Sequence, residues 1–152
     1  MIKVFFICHG NICRSPMAEF IFKDMVKKLG KEKEFEIASS AVSTEEIWNG
    51  VGNPVYPPAR AELRKHGISC EGKRAQLLTK EDGEYYDLLL CMDESNVRRA
   101  RKIVGAKNAE KCKKLLDFAG GGDVADPWYT GDFTATYQDL VKGLEGLLKT
   151  LI

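Results

Sequence analysis

The amino-acid sequence predicts an α/β fold with a mainly parallel sheet, formed as a single domain over residues 1–152. Apolar segments of strand length alternate with segments of helical periodicity, and no internal repeat is present. Because parallel strands need crossover connections, which helices normally supply, this alternation favours a parallel sheet. A chain of 152 residues with 44% hydrophobic and 30% charged residues can form a substantial core and is typical of soluble globular proteins.

The chain begins with a strand, a loop and a helix. The apolar run Ile2–Cys8 predicts a buried strand, and the segment Pro16–Leu29 predicts a helix. Pro16 suits the first turn of that helix, and Ser15 before it is the predicted N-cap. Apolar residues recur along the helix at helical spacing, and Gly30 follows as a stop signal.

Shorter elements are predicted in the middle of the chain. Phe35–Ser39 is typical of a short strand, and the glycines and prolines of residues 50–58 predict a loop. Pro58–His66 has helical spacing and ends at Gly67. Residues 79–82 contain a capping pattern that favours one more helical turn.

The second half repeats the strand–helix alternation. Asp87–Cys91 contains three consecutive leucines and predicts a strand that is buried on both faces. Glu94–Val104 predicts a basic helix that ends at Gly105. A strand is predicted over Lys113–Phe118, and the longest helix is predicted over Phe133–Ile152, which carries an apolar stripe.

Composition limits the possible partners. The net charge of +1 gives no overall attraction for nucleic acid, so no nucleic-acid partner is expected. No apolar stretch reaches the length of a membrane span and no signal peptide is recognised, so no membrane association is expected.

The cysteines are odd in number and form no C-x-x-C pair: Cys8, Cys13, Cys70, Cys91 and Cys112. They are therefore predicted to be reduced thiols of a cytoplasmic protein. A zinc site built from Cys8, His9 and Cys13 would lack a second ligand pair, so no metal is expected.

The loop Cys8–Pro16 carries the most informative chemistry in the chain. Between a strand end and a helix start, free backbone N–H groups converge on one point, where the helix dipole also favours an anion. Gly10 permits a tight turn, and Arg14 offers a planar fork that can hold two phosphate oxygens. Such surroundings favour the nucleophilic thiolate of Cys8, so this loop could both bind a phosphate and attack it.

Other polar residues are predicted to lie at the same edge of the sheet. Ligands of parallel sheets bind beyond the carboxyl ends of the strands. Residues 39–40 and 91–93 lie at such ends, as Cys8 does, and residues 117–129 follow the last predicted strand. We therefore expect these segments to meet in one crevice.

The sequence of residues 8–16, together with Asp126-Pro127-Trp128-Tyr129, resembles the low-molecular-weight protein tyrosine phosphatases. The resemblance covers essentially the whole chain, because further markers follow in the family's order: Ser40-Ala41, Trp48-Asn49-Gly50, Arg60-Ala61, His66-Gly67-Ile68 and residues 92–96. It implies a four-stranded parallel sheet flanked by helices, in the Rossmann-like three-layer arrangement called phosphotyrosine phosphatase I-like. It also implies hydrolysis of phosphotyrosine in protein substrates through a phosphocysteine intermediate, without metal or cofactor.

The resemblance and the residue chemistry agree on three catalytic roles. Cys8 would be the nucleophile and Arg14 the clamp on the phosphate. Asp126 would protonate the leaving phenoxide and then activate water, with Asp123 as the fallback acid. A retained acid also argues against a non-catalytic phosphate-binding module or a phosphocysteine carrier, because binding needs no proton donor.

The remaining site residues are assigned by their match to the family pattern. Trp48, Trp128 and Tyr129 would wall the substrate cleft, with ordinary loop packing as the alternative. Three residues match positions that support the loop through hydrogen bonds, namely Asn11, Ser40 and His66, although His66 alone is more typical of a helix-terminal histidine. The phosphate would be held by the other residues of the loop: His9, Gly10, Asn11, Ile12, Cys13 and Ser15.

Two related activities and one redox hypothesis remain to be compared. Thioredoxin-coupled arsenate reductases use the same oxyanion loop but need two neighbouring downstream cysteines, whereas Cys70 and Cys91 are far apart in the sequence. Protein arginine phosphatases favour threonine at the position of Ile12, so this residue favours phosphotyrosine. Cys13 resembles the family's second loop cysteine, which gives the hypothesis of a reversible disulfide with Cys8, a small buried side chain being the alternative.

Overall fold

A computed structural model describes residues 1–152 and contains six strands and six helices. The strands are β1 (Ile2–Cys8), β2 (Phe35–Ala41), β3 (Ile47–Trp48), β4 (Val51–Gly52), β5 (Leu88–Cys91) and β6 (Cys112–Lys114). The helices are α1 (Arg14–Lys28), α2 (Pro57–Lys65), α3 (Lys80–Tyr85), α4 (Glu94–Val104), α5 (Pro127–Thr130) and α6 (Phe133–Leu151). Short 3₁₀ turns occupy Glu32–Glu34, Ala109–Lys111 and Leu115–Ala119.

Strand β1 lies inside a four-stranded parallel sheet of order β2-β1-β5-β6, which confirms the predicted α/β class. Its alternating side chains enter two separate cores. Val4, Phe6 and Cys8 belong to the larger core, which α1 and α6 cover, whereas Phe5 and Ile7 belong to the smaller core beneath α4. Because both faces are covered, β1 is apolar along almost its whole length, as the sequence pattern indicates.

The last strand of the sheet differs from the prediction. Strand β6 ends at Lys114, and the following residues, predicted to continue the strand to Phe118, form a 3₁₀ turn. Leu115 and Leu116 are both buried against α6, where a Cβ added at Gly143 would lie 2.8 Å from Leu115 Cγ. A strand would send two consecutive leucines to opposite faces, whereas a helical turn directs both towards α6.

A small antiparallel hairpin, β3–β4, was not predicted and lies partly in the segment expected to be a loop. Its two-residue turn is formed by Asn49 and Gly50, which have φ of 50° and 76°. An Asn-Gly pair is the usual signal for such a turn, but the strands on either side are only two residues long.

Helix α1 begins earlier than predicted. Its N-cap is Cys13, so Ser15 lies inside the first turn and does not cap the helix. Strand β2 also runs two residues further than predicted, to Ala41, so Ser39 and Ser40 are part of the sheet. None of the helices has the length and apolarity that crossing a membrane would require.

Candidate active site

The loop between β1 and α1 surrounds the sulfur of Cys8 with hydrogen-bond donors. The backbone N–H of Asn11 donates to Cys8 Sγ at 3.3 Å, and the hydroxyl of Ser15 lies 2.9 Å from the same atom. Helix α1 begins at Arg14, so its free N–H groups and its positive dipole end lie at this loop. The predicted strand–loop–helix arrangement is therefore present in the structure.

Asn11 holds the loop in its bend. Its φ of 60° is left-handed, a conformation that costs free energy for a residue with a side chain. The buried side chain offsets this cost, because its Nδ2 donates to Ser15 Oγ at 2.8 Å and to Ser39 Oγ at 3.0 Å. Its Oδ1 accepts the backbone N–H of Gln76 at 3.1 Å.

Arg14 is 3% exposed, and its guanidinium lies between two carboxylates. Nη1 donates to Asp93 Oδ2 at 2.9 Å and to the Val124 carbonyl at 3.2 Å, and Nη2 donates to Asp126 Oδ2 at 3.4 Å. Burial alone would lower the pKa of this guanidinium, but the charges of Cys8, Asp126 and Asp93 outweigh burial and raise it. Arg14 is therefore a fixed cation in the cleft.

Asp126 reaches the cleft from the opposite side, at the N-cap of α5. Its Oδ1 accepts the backbone N–H of Trp128 at 3.0 Å, which leaves Oδ2 near Arg14. Two contacts anchor the preceding backbone: Val124 N–H donates to the Met92 carbonyl at 2.9 Å, and Ala125 N–H donates to an oxygen of Asp139 at 3.1 Å. The fallback acid Asp123 instead pairs with Lys114 and does not line the cleft.

Cys8, Arg14 and Asp126 all line one cleft, which has a volume of about 540 Å³. Beyond the phosphate-binding residues, its wall includes Glu45, Glu46, Asp93, Trp128 and Tyr129. Trp128 is 60% exposed and Tyr129 is 85% exposed, so each ring offers surface to a ligand. Of the loop residues predicted from the sequence, those that line the cleft are Cys8, His9, Gly10, Ile12, Cys13 and Arg14.

The structure does not place Trp48 in the cleft wall. It lies in the β3–β4 hairpin, is 79% exposed and is absent from the cleft lining. Its neighbour Ile47 instead turns inward and packs against Ile12, Cys13 and Ala75. A strand alternates its side chains between two faces, so the inward packing of the partly buried Ile47 directs Trp48 outward.

His66 does not support the phosphate-binding loop as expected. Its Nε2 lies 3.0 Å from Glu62 Oε2, and its ring stacks on Tyr137 with 3.7 Å between ring centroids. It is a residue of the α2–α6 contact, in line with the alternative of a helix-terminal histidine. For Ser40 the correction is smaller: its carbonyl accepts a 3.4 Å bond from Ser15, but its hydroxyl has no partner.

Several supporting residues were missed by the sequence analysis. Ser39 Oγ, one residue before Ser40, is the hydroxyl that contacts Asn11, and it donates to Glu19. Asp93, the partner of Arg14, was within the segment 91–93 expected at the crevice but was given no role. The supporting residues that the sequence analysis missed are Glu19, Ser39, Lys73, Gln76 and Asp93. The only sequence signal that could have indicated Ser39 and Asp93 is their position at the ends of predicted strands.

The second loop cysteine, Cys13, is buried and free, as Cys8 is. Burial, reinforced by the charges of Cys8 and Asp126, raises the pKa of the Cys13 thiol to about 12. At neutral pH Cys13 is therefore a neutral thiol, and the Cys8–Cys13 disulfide stays a prediction.

The family model for the low molecular weight phosphotyrosine protein phosphatases matches residues 3–152. The Bacillus subtilis low molecular weight protein-tyrosine-phosphatase YfkJ is 38% identical, over 99% of this chain and 96% of its own length. The pig low molecular weight phosphotyrosine protein phosphatase is also 38% identical, over 97% of this chain and 94% of its own length.

Solved structures agree with the sequence comparison. The crystal structure of YfkJ from Bacillus subtilis has a TM-score of 0.92 to this chain, and the superposition covers 99% of this chain and 94% of the YfkJ chain. The Streptococcus pyogenes enzyme SP-PTP, 35% identical, has a TM-score of 0.89 and covers 100% of this chain and 94% of its own. The chain therefore belongs to the low molecular weight phosphotyrosine protein phosphatases, a family of hydrolases.

Proposed function

We propose that this chain hydrolyses phosphotyrosine in proteins through a phosphocysteine intermediate on Cys8. The observation that carries the proposal is the convergence of three groups on one cleft. Cys8 Sγ lies at its base, the Arg14 guanidinium beside it, and Asp126 Oδ2 is 3.4 Å from Arg14 Nη2. A nucleophile, a phosphate clamp and a proton donor are the groups that this reaction needs.

In the first step, the thiolate of Cys8 attacks phosphorus in line with the tyrosine oxygen. A P–S bond forms as the P–O bond to the phenol breaks, and the electron pair leaves with the phenolic oxygen. Asp126 protonates that oxygen, so that tyrosine leaves as a neutral phenol. The loop amides and Arg14 stabilise the charge on the equatorial phosphate oxygens.

In the second step, water hydrolyses the phosphocysteine. Asp126, now deprotonated, removes a proton from water as its oxygen attacks phosphorus. The P–S bond breaks, inorganic phosphate leaves, and the thiolate of Cys8 is regenerated. Ser15 Oγ at 2.9 Å supports this departure by donating a hydrogen bond to the sulfur.

The cleft wall favours a flat aromatic substrate. Trp128 and Tyr129 expose ring surface on which a phenyl ring can pack. Phosphoarginine is the second candidate, because the YwlE arginine phosphatase has a TM-score of 0.85 to this chain at 28% identity. The isoleucine at position 12 supports phosphotyrosine, as predicted from the sequence.

All five cysteines are free thiols, which supports the proposal that the protein works in the reducing environment of the cytoplasm.

The test uses two peptides of one sequence, carrying either phosphotyrosine or phosphoarginine, with a chelator present. We expect wild type to release phosphate from the phosphotyrosine peptide, and Cys8→Ser to release none. Cys70→Ser is the matched control, because Cys70 is equally buried but lies outside the cleft. Turnover of the phosphoarginine peptide alone would reassign the substrate, and full activity of Cys8→Ser would exclude the phosphocysteine mechanism.

A further inference from the structure

The first two turns of α6 bind the backbone of the loop that carries Asp126. Ala125 N–H donates to Asp139 Oδ2 at 3.1 Å, and the Ala125 carbonyl accepts the hydroxyl of Thr136 at 2.8 Å. Thr136 and Asp139 are three residues apart on α6, so they lie on the same face of the helix. Both backbone polar groups of Ala125 are therefore bound to α6, and the mechanism above gives neither α6 residue a role.

The peptide unit between Val124 and Ala125 is held at both ends. Its N–H donates to Asp139, and its carbonyl, which is that of Val124, accepts from Arg14 Nη1 at 3.2 Å. In a trans peptide the N–H and the C=O point in opposite directions, so the two bonds hold opposite edges of one rigid plane. Val124 is only 2% exposed, so rotation of this plane would leave buried polar groups without partners.

The next peptide unit joins Ala125 to Asp126, and Thr136 fixes it. Thr136 is fully buried, so its 2.8 Å bond to the Ala125 carbonyl is shielded from water. The hydroxyl also lies 3.4 Å from the Asp132 carbonyl, but that oxygen already accepts the backbone N–H of Thr136 at 3.3 Å. A hydroxyl has one proton to donate, and the shorter contact directs it to Ala125.

These two planes determine where the side chain of Asp126 begins. The chain before them contains Gly120, Gly121 and Gly122, all with positive φ and without side chains that could hold the loop. The position of Asp126 therefore depends on the contacts with α6. A proton donor has to lie within hydrogen-bond distance of the leaving oxygen, and a displacement of about 1 Å can slow a reaction up to about 10²-fold.

We propose that Thr136 and Asp139 are positioning residues for the general acid: they hold the two peptide units before Asp126 and so aim its carboxyl group at the leaving oxygen. The inference rests on the proposed function, because it concerns the acid of the same reaction. Loss of either α6 contact should slow the chemistry that needs the acid and spare the chemistry that does not.

The test removes each contact and then restores it. Thr136→Val removes the hydroxyl but keeps the β-branched shape, and Thr136→Ser returns the hydroxyl. Asp139→Ala removes the acceptor, whereas Asp139→Asn keeps an oxygen for the Ala125 N–H. We compare kcat/KM on phosphotyrosine peptide and on p-nitrophenyl phosphate, because this constant covers the steps up to departure of the leaving group.

We expect Thr136→Val and Asp139→Ala each to lower kcat/KM on phosphotyrosine peptide about three- to tenfold, as for the loss of one hydrogen bond. On p-nitrophenyl phosphate the loss should stay below about twofold, because its leaving group needs little protonation. Thr136→Ser and Asp139→Asn should recover most of the loss. Thr134→Val is the matched control, because Thr134 lies on the same helix and donates an equally short bond, 2.8 Å, to Glu62 on α2. It should leave both constants unchanged.

A double-mutant cycle separates positioning from a general structural effect. In the Asp126→Asn background no acid is left to aim, so Thr136→Val should cause no further loss of kcat/KM. A loss that persists in this background, equal losses on the two substrates, or no loss in either single variant would overturn the proposal. If Thr136→Val fails to fold, the same cycle with Asp139→Ala decides the question, since Asp139 is only partly buried.

A measurement without substrate distinguishes failure of this inference from failure of the proposed function. The NMR order parameter of the Asp126 backbone amide should fall in Thr136→Val and stay unchanged in Thr134→Val. If wild type does not hydrolyse phosphotyrosine, the proposed function fails. In that case a lower order parameter in Thr136→Val still supports the hold of α6 on Asp126, and an unchanged one overturns it.

Discussion

The two loops that meet in the cleft are built in opposite ways. The phosphate loop, residues 8–15, is mostly buried, and its side chains bond to one another and to the sheet. The acid loop, residues 120–130, begins with three consecutive glycines of positive φ and presents two exposed aromatic rings. The phosphate loop is thus organised before substrate arrives, as stabilisation of a transition state requires, whereas the acid loop is anchored at Val124 and Ala125 and leaves its two exposed rings free to adjust to the substrate.

This contrast predicts that substitutions in the phosphate loop are the more damaging ones. Arg14→Lys keeps the positive charge but loses the planar fork that reaches Asp93, Val124 and Asp126. We expect kcat/KM for phosphotyrosine peptide to fall about 10³-fold, because a lysine held less firmly cannot clamp two equatorial phosphate oxygens of the transition state. Steady-state kinetics measures the loss, and a Lys variant within tenfold of wild type would contradict the assigned clamp.

In the acid loop, the largest loss is expected from Asp126→Asn, which removes the proton donor. We expect kcat to fall about 10²-fold on phosphotyrosine peptide. The loss should be smaller for p-nitrophenyl phosphate, because its leaving group needs little protonation. Asp123→Asn is the control, since Asp123 pairs with Lys114 outside the cleft. Equal losses on both substrates would argue against Asp126 as the acid.

A third prediction concerns stability. Asn11→Ala removes three side-chain hydrogen bonds while keeping a left-handed backbone. We expect a loss of about 2–4 kcal/mol in the free energy of unfolding, measured by urea denaturation. Asn49→Gly is the comparison, because Asn49 also has a positive φ but lies exposed in the β3–β4 turn. That change should be neutral or slightly stabilising, and an equal loss at both positions would mean that the Asn11 bonds contribute little.

The same contrast explains what could be predicted from the sequence. The phosphate loop is contiguous, so residue type and spacing place Cys8, Asn11 and Arg14 around one point, and a strand on one side and a helix on the other fix its shape. Its support comes from separate elements: Glu19 from α1, Ser39 from β2 and Lys73 from the segment before α3. Such long-range contacts leave no local signal, since each residue alone is an ordinary polar side chain.

Aromatic residues were a harder case, because side-chain direction depends on the local element. Trp48 and Trp128 each lie in a short segment without regular apolar spacing. In the structure, Trp128 lines the cleft, with its ring centroid 5.3 Å from that of Tyr56. Trp48 is instead directed outward and is 79% exposed. The alternation of β3 decides the direction of Trp48, and no property of the residue itself reveals it.

The smallest expected effect separates these two tryptophans. Trp128→Ala removes a ring from the cleft wall and should raise KM for phosphotyrosine peptide about three- to tenfold with kcat nearly unchanged, because packing on the substrate ring stabilises ground state and transition state alike. Trp48→Ala, the matched control, should leave both constants unchanged, since its exposed ring lies outside the cleft lining. A larger rise in KM from Trp48→Ala would mean that the hairpin turns towards bound peptide. The adaptable wall of the cleft would then extend beyond the acid loop to the opposite rim.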